Sequence, residues 1–451
     1  MTRMWRPVLV LLLALFVAVP GFAQEGEDGF SFGLGLGIGV TTYDEGGEPF
    51  AYQSLTLTPD IAFGKIGIGL DITLNYTFTG PPPAGTDFYV REEDWIPKGD
   101  DSILDVYLPK FKYIRYGFKG DPLYAKFGSI DDATLGNGFI MGNYANTLFL
   151  PEKRLFGLNF DLDGALFNFP YVGFESFVAN LAQYDVMGVR PYVRPLAFTE
   201  IPLLQNLELG GTLVVDRDPG LYLEPYQNLE TVALYGVDFR QPLLAKDAIS
   251  LALFGDLARL HERSWGGMVG FGGRLVKIIT YGAQVRILGE NFVPVYFDTA
   301  YDLYRYDKYQ IAKSITDIPA YNGWLASLGT SLFNDLLVFS VSLDGPFSKP
   351  EPLNPDNYLN YPHLYAIFQL GEGLVPNVSM DASYDKRSLE TGNGAVNFFE
   401  DLVDREDAVI RARLNYAIGS AVISLVYQIR WDPVANDWAV TSGLESAIQL
   451  F

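Results

Sequence analysis

His261 and His363 are the only histidines in a chain of 451 residues that has no cysteine. Serine hydrolysis would need one of them as a base beside a nucleophilic serine. Neither Leu260-His261-Glu262-Arg263 nor Tyr361-Pro362-His363 comes with such a companion motif, so both read as polar residues at strand ends. Asp131-Asp132, with Gly136-Asn137-Gly138 and Asn143 nearby, brings acids and glycines together as a calcium loop does. The spacing is not that of the twelve-residue loop closed by a glutamate. The third constellation is basic: Arg411 and Arg413 in one stretch and Arg430 in the next. Side by side on a wall they would create a field that orients polar or anionic solutes, or would pair with interior or loop carboxylates. No covalent chemistry and no cofactor is expected.

Without cysteine there can be no disulfide, thiolate zinc site, Fe–S cluster or lipidated N-terminal cysteine. With 32 basic against 54 acidic residues the formal charge is -22, which repels a phosphate backbone, and no Lys/Arg block offsets it. Apolar residues at 49% and charged residues at 19% exclude intrinsic disorder. The 46 Gly, 28 Tyr and 32 Phe are the mixture expected of many strands with aromatic edges.

Arg3 and Arg6 precede an unbroken apolar run from Val8 to Val19, followed by Pro20-Gly21-Phe22-Ala23, the layout of a secretory signal cleaved after Ala23. About a dozen apolar residues are too few to cross a hydrocarbon core as a helix. No later run of that kind reaches 18 residues, which leaves a large soluble β protein or an inserted barrel in a single domain, 24–451.

Periodicity chooses between them. From Ile66 to Thr79, apolar Ile66, Ile68, Leu70, Ile72, Leu74, Tyr76 and Phe78 alternate with small or polar residues. Fourteen residues at period two span roughly 40 Å or more, beyond ordinary globular strands. The pattern recurs from Phe30 to Val40 over four interleaved glycines, and this strand starts too early for an N-terminal plug. Leu55 to Phe63 joins the Ile66 strand through Gly64-Lys65, with Pro59 suggesting a bulge or distortion. Ile410 to Ile418 turns at Gly419-Ser420 into Ile423 to Trp431. Other β-prone stretches lie near 103–116, 122–130, 154–162, 171–194, 206–216, 230–241, 247–260, 265–289, 323–344, 362–384 and 438–451. Short connections (Gly64-Lys65, Asn334-Asp335, Gly371-Glu372-Gly373, Gly419-Ser420) contrast with long polar ones (Gly80–Ser102, Glu290–Asn322, Ser348–Tyr361, Asp385–Asp407). Acids in the long ones, such as Glu92, Glu93, Asp94, Asp100, Asp101, Glu400, Asp401, Asp404, Glu406 and Asp407, read as solvated outer loops. Residues 131–154, rich in glycine and aromatics, fit either a segment folded into the lumen or an irregular pair of strands.

The expected fold is all-β: a transmembrane antiparallel β-barrel with an even number of strands, about 18 within a range of 16 to 20. Tyr43, Tyr76, Tyr116, Trp265, Tyr427, Trp431 and Trp438 suit its interfacial girdles. The strand pattern, the signal sequence and the terminal Phe451 together resemble the outer-membrane β-barrel proteins of diderm bacteria, with the size of a porin. That resemblance implies recognition of the last strand by the barrel-insertion machinery, although Leu444, Ile448 and Leu450 fall in the opposite phase to Phe451. It names no substrate-specific family. Because lipid takes the apolar face, the lining candidates are Asp71, Asn75, Asp238, Arg240, Arg274, Gln284, Arg286, Arg411, Arg413, Asn415, Gln428 and Arg430. The expected function is diffusion of small hydrophilic solutes across the outer membrane. The alternatives are a plugged transporter of hydrophobic substrates, a non-transporting surface anchor or adhesin, and, last, an outer-membrane hydrolase.

Overall fold

The computed structural model describes residues 29–44, 49–79, 88–99, 102–150, 153–199, 201, 203–223, 225–246, 248–260, 264–348, 362–387, 389, 398–403, 408–419, 421–432 and 437–448. The signal sequence, His261 and Phe451 lie outside them. Twenty-two strand segments form one sheet. They are β1 (Phe30–Asp44), β2 (Pro49–Phe63), β3 (Ile66–Leu70), β4 (Ile72–Thr77), β5 (Tyr89–Val90), β6 (Phe111–Tyr116), β7 (Leu123–Gly128), β8 (Gly157–Asp163), β9 (Val172–Val178), β10 (Val186–Val193) and β11 (Glu208–Asp216). There follow β12 (Val232–Lys246), β13 (Ile249–Leu260), β14 (Ser264–Leu275), β15 (Ile279–Leu288), β16 (Tyr321–Leu332), β17 (Leu337–Pro346), β18 (His363–Val375), β19 (Val378–Lys386), β20 (Ala408–Ile418), β21 (Ala421–Asp432) and β22 (Asp437–Ile448).

From β6 onward each strand pairs antiparallel with the next, and the order returns to its start where β22 meets β1 through Gly37↔Ala447 and Ile38↔Ser446. The connections sort only in part by length, since the medium-length 164–171 and 194–207 lie at the same end as the tight turns. Phe30, the turns at 64–65, 276–278, 333–336 and 376–377, and the connection at 117–122 share one end of the sheet, here the short-turn end. The long connections 129–156, 289–320 and 347–362 leave from the other, the long-loop end.

The count of 22 exceeds the expected 18. Part of the excess has a local cause. The Ile66 strand is interrupted at Asp71, and β2 pairs with both halves in one register, Asp60↔Gly69 and Leu57↔Ile72. Pro59, which has no N–H to give, faces that interruption. Opposite β1 the same proline sits in an unbroken ladder, Leu34↔Pro59, so it breaks hydrogen bonding on one edge without adding a bulge. Beyond the break the neighbouring position is also split, with β5 beside β4 and β6 beside β3.

Two other expectations fail for physical reasons. Residues 103–107 are helical, not extended, because Ser102 and Asp105 form a reciprocal capping box. Gly371-Glu372-Gly373 lies within β18, and the turn falls at Pro376-Asn377, where Asn377 takes φ 63° and tolerates the left-handed region better than most residues. Gly64, by contrast, turns the chain in two residues at φ 52°.

Alternation separates two faces. Val237, Leu257, Val269, Val285 and Ile287 project outward and are exposed, while Asp238, Ala258, Met268 and Arg286 on the opposite phase are buried. Trp265, Tyr116 and Tyr427 are exposed, and Tyr76 packs against Phe78 and Phe88 at 5.8 Å. Tyr43 departs from the girdle assignment: its hydroxyl accepts from Asn75 on the inner side. The side chains of Trp431 and Trp438 lie outside the described atoms.

Candidate functional site

The interior is filled on one side by the chain's own long connections. Residues 129–156 and 289–320 are joined by a parallel bridge between Met141 and Phe297 and by hydrogen bonds from Val295 N–H to Phe139 and from Phe297 N–H to Ile140. Phe139 stacks on Phe292 at 5.5 Å, and Tyr144, Tyr296, Phe297, Tyr301 and Tyr304 are fully buried with them. The cluster continues onto the wall through Phe177, Val186, Val214, Leu234, Leu260, Met268 and Leu288 of β9 to β15. The described residues of 131–154 therefore pack as the inserted segment that one of the two sequence readings allowed. Glu290–Asn322, expected as an outer polar loop, is corrected to a second insert over 289–320 that runs into β16 at Tyr321. Its charges are spent on internal pairs: Arg305, on the helix Arg305–Ala312, binds Asp216 and Asp185 of the wall side, and Lys308 binds Asp298 at 2.9 Å. Asp94 likewise turns inward to Asn75 and Arg91, and Asp401 pairs with Lys386. Asp100, Asp101, Asp404, Glu406 and Asp407 lie outside the described residues.

All twelve lining candidates fall on one phase of their strands, and they divide into two groups. One group fixes the inserts or the wall. Asp71 holds Arg154 at the end of the first insert, Asn75 donates to Tyr43 and Asp94, Asp238 binds Arg190, and Arg286 binds Asp344 and donates to Gln284. Gln428 donates to the Leu148 carbonyl at 2.6 Å, and Arg430 lies over the Phe149 ring at 5.5 Å, so β21 grips the first insert too. The other group is mixed, with Arg240, Arg274 and Arg413 exposed and Arg411 and Asn415 half-buried. Arg240 and Arg274 are exposed near the short-turn end, Arg240 beside Arg194 and Glu208. Arg413 is exposed opposite Asp381, and Asn415 bonds Ser379 and Ser424. Arg411 stands opposite Gln428 with its Nε unpartnered. Arg411 and Arg413 of β20 and Arg430 of β21 share one phase, with Arg413 exposed and Arg430 against the insert.

Sequence reasoning missed the hub of the filled side. Arg190, 1% exposed on β10, donates to Asp238 at 2.9 Å, Glu175 at 3.0 Å and Glu208 at 2.9 Å, tying β9, β11 and β12 to one guanidinium. The first insert docks there: Gly136 N–H donates to Glu175, and Asn137 reaches Asp256. A Cβ on Gly136, at φ 56°, would stand 2.7 Å from Arg190 Nε, so only glycine lets the insert approach this closely. The sequence signal was the phase of Val186, Gly188, Arg190 and Tyr192.

His363 is structural. Its Nε2 lies 2.9 Å from Asp385 and its Nδ1 3.3 Å from Asp344, between two carboxylates and away from any nucleophile-like serine contact among the described residues. Asp131 accepts from Thr147, and among the described residues no group of acids and imidazoles has the arrangement to hold a metal.

Elsewhere the inward phase mixes small and polar residues with a few apolar ones such as Leu325, Ile367 and Val426. Gly33, Gly35 and Gly37 of β1 share a face with Thr56, Thr58 and Asp60 of β2. Ser340 and Ser342 of β17, Ser379, Asp381 and Ser383 of β19, and Arg413 and Asn415 of β20 continue it.

No protein-family model matches the chain, and no curated protein matches it. Solved structures similar to it include the crystal structure of Pseudomonas aeruginosa OpdL, at 8% identity and TM-score 0.34 over 94% of this chain and 99% of that one. The outer membrane protein OprD from Pseudomonas aeruginosa matches at 10% identity and TM-score 0.32, covering 93% of this chain and 92% of its own. Pseudomonas aeruginosa OccK2 (OpdF) in complex with glucuronate matches at 9% identity and TM-score 0.32 over 95% and 100%.

Proposed function

We propose that the chain is a closed transmembrane β-barrel of the bacterial outer membrane through which small hydrophilic solutes diffuse, along the part of the wall the inserts leave uncovered. The observation that carries this reading is the contrast between the two faces of β16 to β22 and β1. Outward they present a largely apolar set that includes Leu328, Phe339, Leu414 and Ile38; inward, glycine, serine and Asp381 opposite Arg413 are mixed with apolar Leu325, Ile367 and Val426. A lone arginine on a lipid-facing strand position costs roughly 2 to 4 kcal/mol, so the polar set belongs in water. The inserts narrow the passage, and the arginines of β20 beside Asp381 set its charge preference. The short-turn end faces the periplasm, and the last strand is the part the barrel-insertion machinery reads.

The second reading, a plugged transporter of hydrophobic substrates, draws on the aromatic cluster of the inserts. Those rings fill one another, which favours a constriction over a ligand chamber. The test is liposome swelling with purified, heat-modifiable protein and sugars of increasing size. Swelling that falls off with sugar size is expected. No swelling, together with an aliphatic molecule retained through purification, would replace diffusion with the second reading.

A further inference from the structure

The strands are unequal in a way that matters at a membrane. β6 to β9 have six or seven residues each, whereas β12 has fifteen. At roughly 3.3 Å per residue and a tilt near 40°, seven residues climb only about 18 Å of the ~25 Å apolar band, while twelve climb about 30 Å. Register locates the shortfall for β11. Asp216 lies opposite Val232, the first residue of β12, but at the other end Glu208 lies opposite Arg240, and β12 runs on through 241–246 without β11 beside it. The connection 194–207 occupies that place: the Gln241 side chain donates to the Leu203 carbonyl, and Arg194 N–H donates to Tyr171 at the end of the neighbouring connection 164–171.

These two connections expose Leu166, Phe167, Phe169, Phe198, Ile201 and Leu203, with Phe198 at 69% and Phe167 at 67%. They adjoin a row of outward residues paired across three strands, Val172, Val193 and Leu209. Part of their described backbone is bonded within each connection. Ala197 N–H donates to Arg194, Thr199 to Leu196, Leu204 to Ile201 and Phe169 to Gly164. Internal closure of this kind is what backbone at a lipid boundary needs, because no water is there to take the bonds.

We propose that the connection 164–171 and the described residues 194–199, 201 and 203–207 complete the lipid-facing belt where the strands stop short, seating Phe167, Phe169 and Phe198 at the acyl–headgroup boundary of the leaflet on the short-turn side. The inference rests on the membrane-barrel reading. Lipid is the occupant because the patch continues the outward apolar row on the same side of the wall; a partner protein or a second copy would bring its own edge.

The absence of native cysteine makes a single-site test direct. Phe167→Cys and Phe198→Cys carry an environment-sensitive fluorophore in vesicles of phosphatidylcholine without bromine, or with bromines near the ester end or near the middle of the acyl chain. Val269→Cys, outward on β14, reports whether the barrel is inserted, and Asp335→Cys, on the turn 333–336, reports water at the same end. The expected result is bromine quenching at 167, 198 and 269 and none at 335. Quenching at 269 with 167 and 198 behaving like 335 overturns the proposal and leaves the barrel standing. No quenching at 269 removes the barrel reading and the proposal together. Emission at 167 or 198 that changes on diluting the protein in unbrominated lipid assigns the patch to a second copy and also overturns it.

Discussion

Replacing Arg305 by methionine should loosen the second insert without touching a wall strand. Its Nε and Nη2 donate to Asp216 at 2.7 and 2.5 Å, its Nη1 donates to Asp185 at 2.9 Å, and Tyr301 adds a hydroxyl bond to Asp216 at 2.6 Å. Methionine keeps most of the stem's volume but leaves two fully buried carboxylates without their cation. Breaking a buried ion pair by removing one partner costs about 3 to 5 kcal/mol. At about 1.4 kcal/mol per tenfold, the open form of the insert should rise by between roughly a hundred- and a few-thousand-fold. The aromatic cluster still favours the seated form, so the expected readout is flicker and added conductance levels in planar bilayers, not a permanently wider pore. Limited proteolysis within 289–320 should accelerate, while the gel shift between unboiled and boiled samples persists. Adding Asp216→Asn should recover part of the quiet behaviour by removing one stranded charge. Unchanged current noise and unchanged proteolysis in Arg305→Met would refute the idea that this guanidinium latches the insert.

The same cluster should respond to pH. Burial holds the Asp302 carboxyl at about 7, against the pull of Arg305. An acid whose folded value lies above its unfolded one favours the folded state while protonated, so seating weakens as pH rises from about 4 to about 7 and stays weak above that. Channel noise should be lower at pH 5 than at pH 8, and Asp302→Asn should flatten the difference; a variant as pH-dependent as the parent would count against this cause. Gly128 ends β7 at φ 114°, where a Cβ would meet the Lys112 carbonyl at 2.4 Å, so Gly128→Ala should abolish the heat-modifiable band. Gly373, at φ 101° with open space around it, should tolerate alanine far better in the same gel assay, and equal tolerance at both would argue against the crowding. Val269→Arg should cost about 2 to 4 kcal/mol in urea unfolding from vesicles if that position faces mid-membrane lipid, and no measurable loss would contradict the facing.

The strands were legible because period two needs no partner to be recognised: Ile66 to Thr79 shows its apolar face in the residues themselves, and the same logic placed all twelve lining candidates on one phase. The single break at Asp71 was half visible in Pro59, but which edge it would interrupt depended on whether β1 or β4 needed the missing N–H. The inserts were harder to see. Glu290–Asn322 reads as polar because Asp298, Asp302, Arg305, Asp307 and Lys308 sit together, and only the fold brings Asp185 and Asp216 to Arg305 and Arg387 to Asp298. The available signal was the aromatic spacing of Phe292, Tyr296, Phe297, Tyr301, Tyr304 and Tyr309, too dense for a solvated loop. Arg190 escaped because 171–194 was read as a single stretch, whereas β9 and β10 are a hairpin whose pairing alone sets Glu175 against Arg190.

Neighbouring residues on β20 offer the sharpest test of a wet passage bounded by a lipid-facing wall. Arg413 points inward and Leu414 outward. In single-channel recordings, a charged, membrane-impermeant thiol reagent should step down the current of Arg413→Cys and leave Leu414→Cys untouched, while a label at 414 is quenched by brominated lipid. Modification of 414 from water with 413 inert, or no current steps at all from folded, lipid-inserted protein, would contradict the account.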